Sequence, residues 1–368
     1  MKIAIDIREA ARSKRTGKGW YAFQMVKHLL ELNKGNSSMF YVLYTDQSYP
    51  DFEQYKNVKV KYFPPSTLGW HLKVLRDMKK ERPDIYFAPS SFIVPALAPK
   101  WLKVVITVHD LVAWLFPGNH NMKATFIERL TLPRALKMGA YVTTVSRNTK
   151  KDLIQIFKTK SENIEVIPCA ASENFTPLPP QEIQKFRHEK KLPEKYILAV
   201  GTLEPRKNMK TLIKCMSQIP ADISLYIIGG KGWQYEEIFD EVRKNNLEDR
   251  VIFLGYVEEG ELPLYYNAAS CFVFPSLYEG FGIPPLEAMQ CGCPVVCSNT
   301  SSLPEVVGES ALLVDPLSSN DMSKAIHSVL SDEKLAANLR EKGLIQASKF
   351  SWEKSAIGLN RMFCRIVR

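Results

Sequence analysis

Short apolar runs of strand length alternate with amphipathic segments of helical spacing along nearly the whole chain. KIAIDI (2–7), MFYVLYT (39–45), DIYFA (84–88), KVVITV (103–108) and AYVTTV (140–145) read as strands. They are continuous rather than alternating, which is the mark of strands covered on both faces in a parallel sheet. WYAFQMVKHLLEL (20–32) and HLKVLRDMKKE (71–81) read as helices, and Ser146 stands where a hydroxyl would cap the helix RNTKKDLIQIF. Proline-rich ENFTPLPPQEIQKF (173–186) then interrupts the pattern and reads as a linker running into a helix. Beyond it the alternation restarts, with strands at 196–201, 223–230, 250–255, 271–276, 294–298 and 311–315. Helices are expected near 208–218 and 234–245, over PPLEAMQCG, at 319–331 and 333–348, and in the amphipathic tail FSWEKSAIGLNRMFCRIV.

Strand–helix alternation of this kind predicts an α/β fold with parallel sheets. At 368 residues the chain exceeds the ~250–300 residues at which single cores stop growing, so two domains are expected. The fold class predicted is two Rossmann-like, doubly wound domains facing a cleft, 1–174 and 175–349. Ligands of such sheets sit beyond the carboxyl ends of the strands, so the cleft is where a site is expected.

Composition adds constraints rather than a function. The chain is 45% hydrophobic and 24% charged, ordinary for a globular protein. The most apolar region, 101–116, is broken by Lys103, His109 and Asp110, so no membrane-spanning helix is expected. The start, MKIAIDIREA, lacks the layout of a signal peptide. Seven scattered cysteines, an odd number, point to a reducing compartment, and Cys291, Cys293 and Cys297 read as buried small residues. The net charge of +10 is uneven: residues 1–172 carry 27 basic and 14 acidic side chains, residues 173–368 carry 22 and 25. A basic first half suits an anionic partner, whether nucleic acid, a membrane surface or a phosphorylated substrate.

Four stretches at strand ends carry candidate chemistry. In RSKRTGKGWYA (12–22) the Gly17-x-Gly19-x-x-Ala22 spacing resembles a dinucleotide fingerprint. The tight strand–turn–helix is missing, however, and the next strand ends without the usual acid; a glycine loop with Lys18 nearby, able to receive phosphate, is the better reading. In TVHDL (107–111) His109 ends a strand, with Asp110 placed to orient it or to cap the next segment. In VGTLEPRKNMKTL (200–212) Arg206 and Lys207 sit at a strand-to-helix turn, where a fork and a point charge suit a diphosphate. In YEGFGIPPLEAMQCG (278–292) Glu279 precedes a Gly280-Phe281-Gly282-Ile283 turn, and Glu287 follows Pro284 and Pro285 by about one turn of helix. Each acid alone is an ordinary loop or first-turn residue. Two carboxylates able to grip hydroxyl pairs, a basic pair and an anion-ready helix start in one domain describe a site for a nucleotide sugar.

GTLEPRKN, FLGYV, FPSLYEGFGIPPLEAMQCGCPVV and SSLPEVVGESALLVDP together resemble the family 4 retaining glycosyltransferases of the GT-B fold, most like bacterial polysaccharide mannosyltransferases. The resemblance is dense from about 196 to 350 and thinner before 172. It implies that the first domain binds the acceptor and the second the donor, and that the tail helix, 350–368, packs back on the first. Glu287 would hold the ribose, Glu279 the transferred sugar, and Arg206 and Lys207 the diphosphate. Gly280, Phe281, Gly282 and Ile283 would help at the phosphates, Gly17 and Gly19 would close over them, His109 would lie beside sugar and acceptor, and Tyr256 and Val257 would meet the base. Thr202 departs from the pattern, since many members carry an arginine there.

Breaking a sugar–phosphate bond leaves negative charge on the nucleoside diphosphate. No Asp-x-Asp occurs in the chain, so no metal and no cofactor is expected; Arg206, Lys207 and helix N-termini would stabilise the leaving group. The resemblance favours GDP-mannose as donor, UDP-sugars next, with a lipid-linked glycan of surface polysaccharide or lipopolysaccharide as acceptor, and a cytoplasmic enzyme peripheral on the inner membrane face. Lys73, Lys79, Lys80 and Arg82, with Arg12, Lys14 and Arg15, are the candidate contacts to anionic lipid. Nucleic acid is not expected as a partner. The alternatives are a nucleotide-sugar epimerase of the same fold, a non-catalytic nucleotide or nucleic-acid binder, and an oxidoreductase.

Overall fold

A computed structural model describes residues 1–66, 68–116, 122–258 and 260–368. The chain divides into two compact units, Met1–Cys169 with Ser351–Arg368, and Ala170–Phe350.

The first unit is built on seven parallel strands: β1 (Lys2–Asp6), β2 (Phe40–Thr45), β3 (Val58–Tyr62), β4 (Ile85–Ala88), β5 (Lys103–Val108), β6 (Tyr141–Thr144) and β7 (Ile164–Val166). Their order across the sheet is β3-β2-β1-β4-β5-β6-β7, so the direction of winding reverses between β1 and β4. The five strands expected from continuous apolar runs are all present. The two not read from the pattern, β3 and β7, are the edges. VKVKY alternates, and its Lys61 is drawn into an ion pair with Asp77 rather than a core; IEV is only three residues long. Trp70, Val74 and Met78 of the helix Gly69–Glu81 and Leu132 and Ala135 of the helix Met122–Lys137 belong to one buried cluster of this unit. Ser146 caps the helix Arg147–Phe157 by accepting from the Thr149 amide.

The last helix, Trp352–Val367, belongs to the first unit although it is the end of the chain. Its buried stripe of Trp352, Ala356, Leu359, Met362, Phe363 and Ile366 has helical spacing. Phe363 meets Phe87 with ring centroids 5.6 Å apart, and Ser355 donates to the Pro168 carbonyl at 2.7 Å.

The second unit holds six parallel strands: β8 (Tyr196–Val200), β9 (Ser224–Ile228), β10 (Val251–Gly255), β11 (Cys271–Phe274), β12 (Val295–Ser298) and β13 (Ala311–Val314). The order is β10-β9-β8-β11-β12-β13. In unit numbering that is 3-2-1-4-5-6, the Rossmann order, with the reversal between β8 and β11. The proline-rich stretch is not a free linker. Phe175 is buried against Tyr266, ring centroids 5.9 Å apart, and the Asn267 side chain holds the Leu178 amide at 2.8 Å and the Thr176 carbonyl at 2.9 Å. The helix it leads into, Pro180–Lys190, begins on Pro180, whose missing N–H costs nothing there. The junction between units therefore falls before these prolines, at Cys169 and Ala170.

Because the tail helix fills one side of the first unit's core, Leu359→Ala should remove ~2–5 kcal/mol from that unit. Urea titration followed by tryptophan fluorescence, with Trp352 on the same helix, should show the first unit's transition at lower denaturant. An unchanged transition would mean the helix contributes no packing energy.

Candidate functional site

The reversal of strand order in the second unit makes β8 and β11 hydrogen-bonded neighbours, with Cys271 opposite Ile197. Their C-terminal loops, 201–208 and 275–282, therefore emerge side by side. These are the two stretches that the sequence singled out for the basic pair and the first acid.

The loops are tied at several points. The Leu277 amide donates to the Arg206 carbonyl at 2.9 Å. Asn208, at φ +56°, sends its side-chain amide to the carbonyls of Pro275 at 3.0 Å and Pro316 at 2.7 Å. On the other side, the β8 loop leans on the loop after β9, where Leu203 donates to the Gly230 carbonyl at 2.9 Å. A Cβ on Gly229 would lie 1.9 Å from the Gly201 oxygen, so only glycine permits this approach.

Glu279 meets both cations. Its Oε1 lies 2.6 Å from Lys207 Nζ, and its Oε2 lies 3.1 Å from Arg206 Nη1. Arg206 also donates to the Tyr278 carbonyl at 2.7 Å and pairs with Glu204. The side chains of Arg206, Lys207 and Glu279 are only 12–14% exposed, so this is a nearly dry cluster of two cations and two acids. Burial by itself would push the Glu279 carboxyl up; Lys207 and Arg206 outweigh it and hold the group below its ordinary value. Glu279 is thus an anion in the folded protein. The sequence assigned the basic pair and this acid to different parts of a ligand; the structure brings all three together before any ligand is considered.

The backbone of this loop is pinned from the neighbouring loop. Ser301 Oγ accepts from the Glu279 amide at 2.9 Å, and Ser302 Oγ shares its one proton between the carbonyls of Phe281 at 2.6 Å and Glu279 at 2.9 Å. Gly280 follows, and Phe281 packs edge-on to Phe350, ring centroids 5.6 Å apart. Gly282 caps the next helix at φ +117°, where a Cβ would also lie 2.7 Å from Leu303 Cδ2. The helix Ile283–Gln290 then starts with Pro284 and Pro285. The prolines remove two donors from its first turn, so the backbone donors this end retains are the amides of Gly282 and Ile283. Glu287 lies one turn in and accepts from the Tyr266 hydroxyl at 2.9 Å. Burial, and then Glu287, raise the Tyr266 phenol, so it stays protonated and donates.

Tyr266, Ser301, Ser302, Glu204 and Asn208 did not emerge as site residues from the sequence. The only trace of the two serines was SSLPEVVGESALLVDP, which carried the family resemblance without marking Ser301 or Ser302. Tyr256 and Val257 follow the edge strand β10, with Tyr256 65% exposed. Among the described residues no group of three or more His, Cys, Asp or Glu could hold a metal ion, and all seven cysteines are free thiols, six of them buried.

His109, Gly17 and Gly19 belong to the first unit. His109 Nε2 donates to the Pro89 carbonyl at 2.7 Å, and its ring stands edge-on to Tyr21, centroids 4.6 Å apart. That bond fixes the tautomer and leaves the lone pair on Nδ1. Burial, and then the charge of Lys18, lower its pKa to about 4, so the imidazole is neutral at pH 7 and a weak base. Gly17 starts the helix Gly17–Leu32 in open space, whereas a Cβ on Gly19 would lie 2.9 Å from the Glu9 carbonyl. Gly19 is therefore required by a close approach of backbone. The short helix Arg8–Ala11 lies between β1 and this glycine loop, so the tight turn of a dinucleotide site is absent. At the β1/β4 reversal a cavity of about 300 Å³ is lined by Asp6, Arg8, Glu9, Lys18, Ser90 and Ser91 among others. Arg8 is clamped by Asp6 at 2.7 Å and lies over the Trp70 ring at 3.7 Å.

Comparison with known proteins gives two family models in succession. Residues 17–174 match the model described as Glycosyltransferase Family 4, and residues 180–345 that of Glycosyl transferases group 1. The chain is 33% identical over 294 residues to O-antigen chain mannosyltransferase B of Escherichia coli, covering 78% of this chain and 74% of that one. It is 30% identical over 295 residues to the serotype-specific mannosyltransferase WbdA of the same organism, of which it spans only 36%. Among solved structures, the Anabaena HepE protein in complex with UDP and glucose superposes with a TM-score of 0.80 at 21% identity, covering 99% of this chain and 100% of that one, a likeness of fold.

The lowered pKa of His109 has a sign that can be tested. The unfolded chain binds a proton near pH 6.5 and the native chain only near pH 4, so His109 stabilises the native state above pH 6.5. That contribution, up to about 3 kcal/mol, is lost as the pH falls through this window. His109→Asn, which retains a donor for Pro89, should flatten the fall in stability between pH 6.5 and 4. Parallel pH–stability curves for the two proteins would contradict it.

Proposed function

The chain is a member of the family 4 glycosyltransferases of the GT-B fold, and on that basis we propose that it transfers mannose from GDP-mannose, with retention, to a lipid-linked glycan in surface polysaccharide synthesis. The observation that carries the donor reading is the Arg206–Glu279–Lys207 cluster at the strand-order reversal, where an open α/β sheet binds its ligand. The mannosyl choice is supported by the names of two Escherichia coli relatives, 33% and 30% identical to this chain. UDP-sugars are the second reading, favoured by the UDP and glucose bound to the HepE protein of the same fold.

In this reading the cluster works by exchange of charge. Before the donor arrives, Glu279 neutralises Arg206 and Lys207 and keeps the pair folded inward. A diphosphate competes for both cations, since it offers more negative charge and matches the guanidinium fork. Glu279, relieved of part of its pairing, accepts hydrogen bonds from the sugar hydroxyls. Glu287, oriented by Tyr266, does the same for the ribose. As the sugar–phosphate bond breaks, charge grows on the leaving phosphate, where the two cations are held in a site largely closed to water and stabilise it. The backbone amides of Gly282 and Ile283 add to this. Glu279 is held as a charged group below its ordinary pKa, which suits a binder and not a proton donor. His109, neutral and hydrogen-bonded at Nε2, positions the acceptor side rather than carrying a proton at neutral pH. The polar cavity between Arg8, Lys18 and Ser90 in the first unit is the proposed seat of the acceptor's terminal sugar.

A thermal-shift panel of GDP, UDP, ADP and their sugars tests the donor. A ligand at 100 times its Kd adds ~2.7 kcal/mol, and the guanosine pair should give the largest shift. Glu287→Ala should weaken GDP and GDP-mannose alike. Glu279→Gln should weaken the sugar-bearing donor while holding or strengthening free GDP, because it leaves Arg206 and Lys207 with Glu204 alone to balance them. A protein that no nucleotide stabilises, or variants with unaltered donor affinity and turnover, would sink the assignment.

A further inference from the structure

The cavity of the first unit lies where the strand order reverses, at the carboxyl ends of β1 and β4. Its volume of about 300 Å³ stands at the lower end of the ~300–1,000 Å³ of ligand sites, room for a sugar ring rather than for a whole nucleotide sugar. In its wall the Arg8 guanidinium is fixed from two directions. Asp6, only 3% exposed, accepts from Nε at 3.0 Å and from Nη2 at 2.7 Å. The Trp70 ring lies 3.7 Å away, and its own indole N–H is tied to the Thr45 carbonyl at 3.2 Å. Burial opposes the charge on Arg8, but Asp6 outweighs it, so the group stays a cation. Asp6 takes two of the five N–H groups of the fork, and the others meet no partner among the described residues.

The rest of the wall is polar and as little used. The Glu9 carboxylate and the hydroxyls of Thr16, Ser90 and Ser91 make no hydrogen bond or ion pair among the described residues. Lys18 brings a second cation, 4.0 Å from Glu128. Asp6 thus balances Arg8 and Glu128 balances Lys18, and the charge left over, on Glu9, is negative.

We propose, resting on the reading of this cavity as the acceptor's seat, that it selects an uncharged sugar terminus: Arg8 donates to one ring hydroxyl, Glu9 accepts from its neighbour, and Asp6 positions the fork. A hydroxyl pair offers lone pairs and protons together, which is what spare N–H groups beside a carboxylate match. The serine hydroxyls serve either way, and Ile93 gives the C–H face of the ring an apolar wall. A phosphate or carboxylate on the sugar offers acceptors only. Glu9 would repel it, and Arg8 would have to turn from Asp6 and leave a nearly buried carboxylate unpaired. The seat therefore rejects by charge what the Arg206–Lys207 cluster is built to attract.

Saturation-transfer NMR of the full chain, titrated with mannose, mannose 6-phosphate and mannuronic acid in turn, tests this without donor. Mannose should bind at least tenfold more tightly than either anion. Glu9→Gln should weaken mannose about tenfold and narrow or reverse its lead over mannose 6-phosphate, since the repelling charge is gone. Asp6→Asn should raise the affinity for mannose 6-phosphate by releasing Arg8. If Asp6→Asn does not fold, Glu9→Gln carries the test, because its side chain has no ion pair to lose. The selection is overturned if the anions bind the wild type as well as mannose does, or if Glu9→Gln leaves the preference unchanged. When sugars of both kinds bind and Arg8→Ala abolishes them, the seat stands and only the selection falls. When no sugar binds, or binding ignores Glu9→Gln and Arg8→Ala alike, the seat falls with it. A GDP thermal shift retained in Glu9→Gln keeps either outcome separate from the donor site.

Discussion

Glu279 reaches Arg206 and Lys207 across some 72 residues of chain because β8 and β11 are neighbours in a sheet whose winding reverses between them. Everything proposed for the second unit depends on that adjacency. Two parallel strands deliver their loops to the same edge, and the hydrogen bonds from Leu277, Asn208 and Ser302 remove the freedom those loops would otherwise keep. With the loops fixed, two cations and two acids share a small, nearly dry volume, where a balanced set of charges is stable and an unbalanced one is not. The site is therefore stable as an ion cluster and poised to exchange one anion for another.

The first unit repeats the reversal, between β1 and β4, with different chemistry at its edge. There the loops frame a polar cavity, and the buried Asp6–Arg8 pair forms part of its wall. His109 shows how burial decides a role. Its position at a strand end left a structural or a site role open; desolvation keeps it neutral and the Pro89 carbonyl accepts its Nε2 proton. The excess positive charge of this half is likewise partly used within the fold, by Asp6, Asp46, Asp77 and Glu81.

Much of this architecture was legible in the chain. Continuous runs such as YILAV and KVVITV mark strands because both faces of a parallel sheet are covered, and the spacing in the tail helix announced a buried stripe. VKVKY was hidden because an edge strand alternates with charge, and the proline-rich stretch misled because prolines in a linker and prolines packed on a unit look alike in one dimension. Gly19 and Gly282 stood out as glycines, but the sequence could not separate a ligand's need from a steric one: Glu9 and Leu303 supply the steric reason.

The sequence by itself determined the two parallel α/β units, their family and the residue types able to hold a nucleotide sugar, because hydrophobic period and loop motifs are local properties. Only the tertiary structure decided which of these residues meet. It paired Glu279 with the cations meant for phosphate and gave Glu287 the Tyr266 hydroxyl. Such partners lie far apart in the chain, and strand order and helix packing, not spacing along the sequence, set the distances between them.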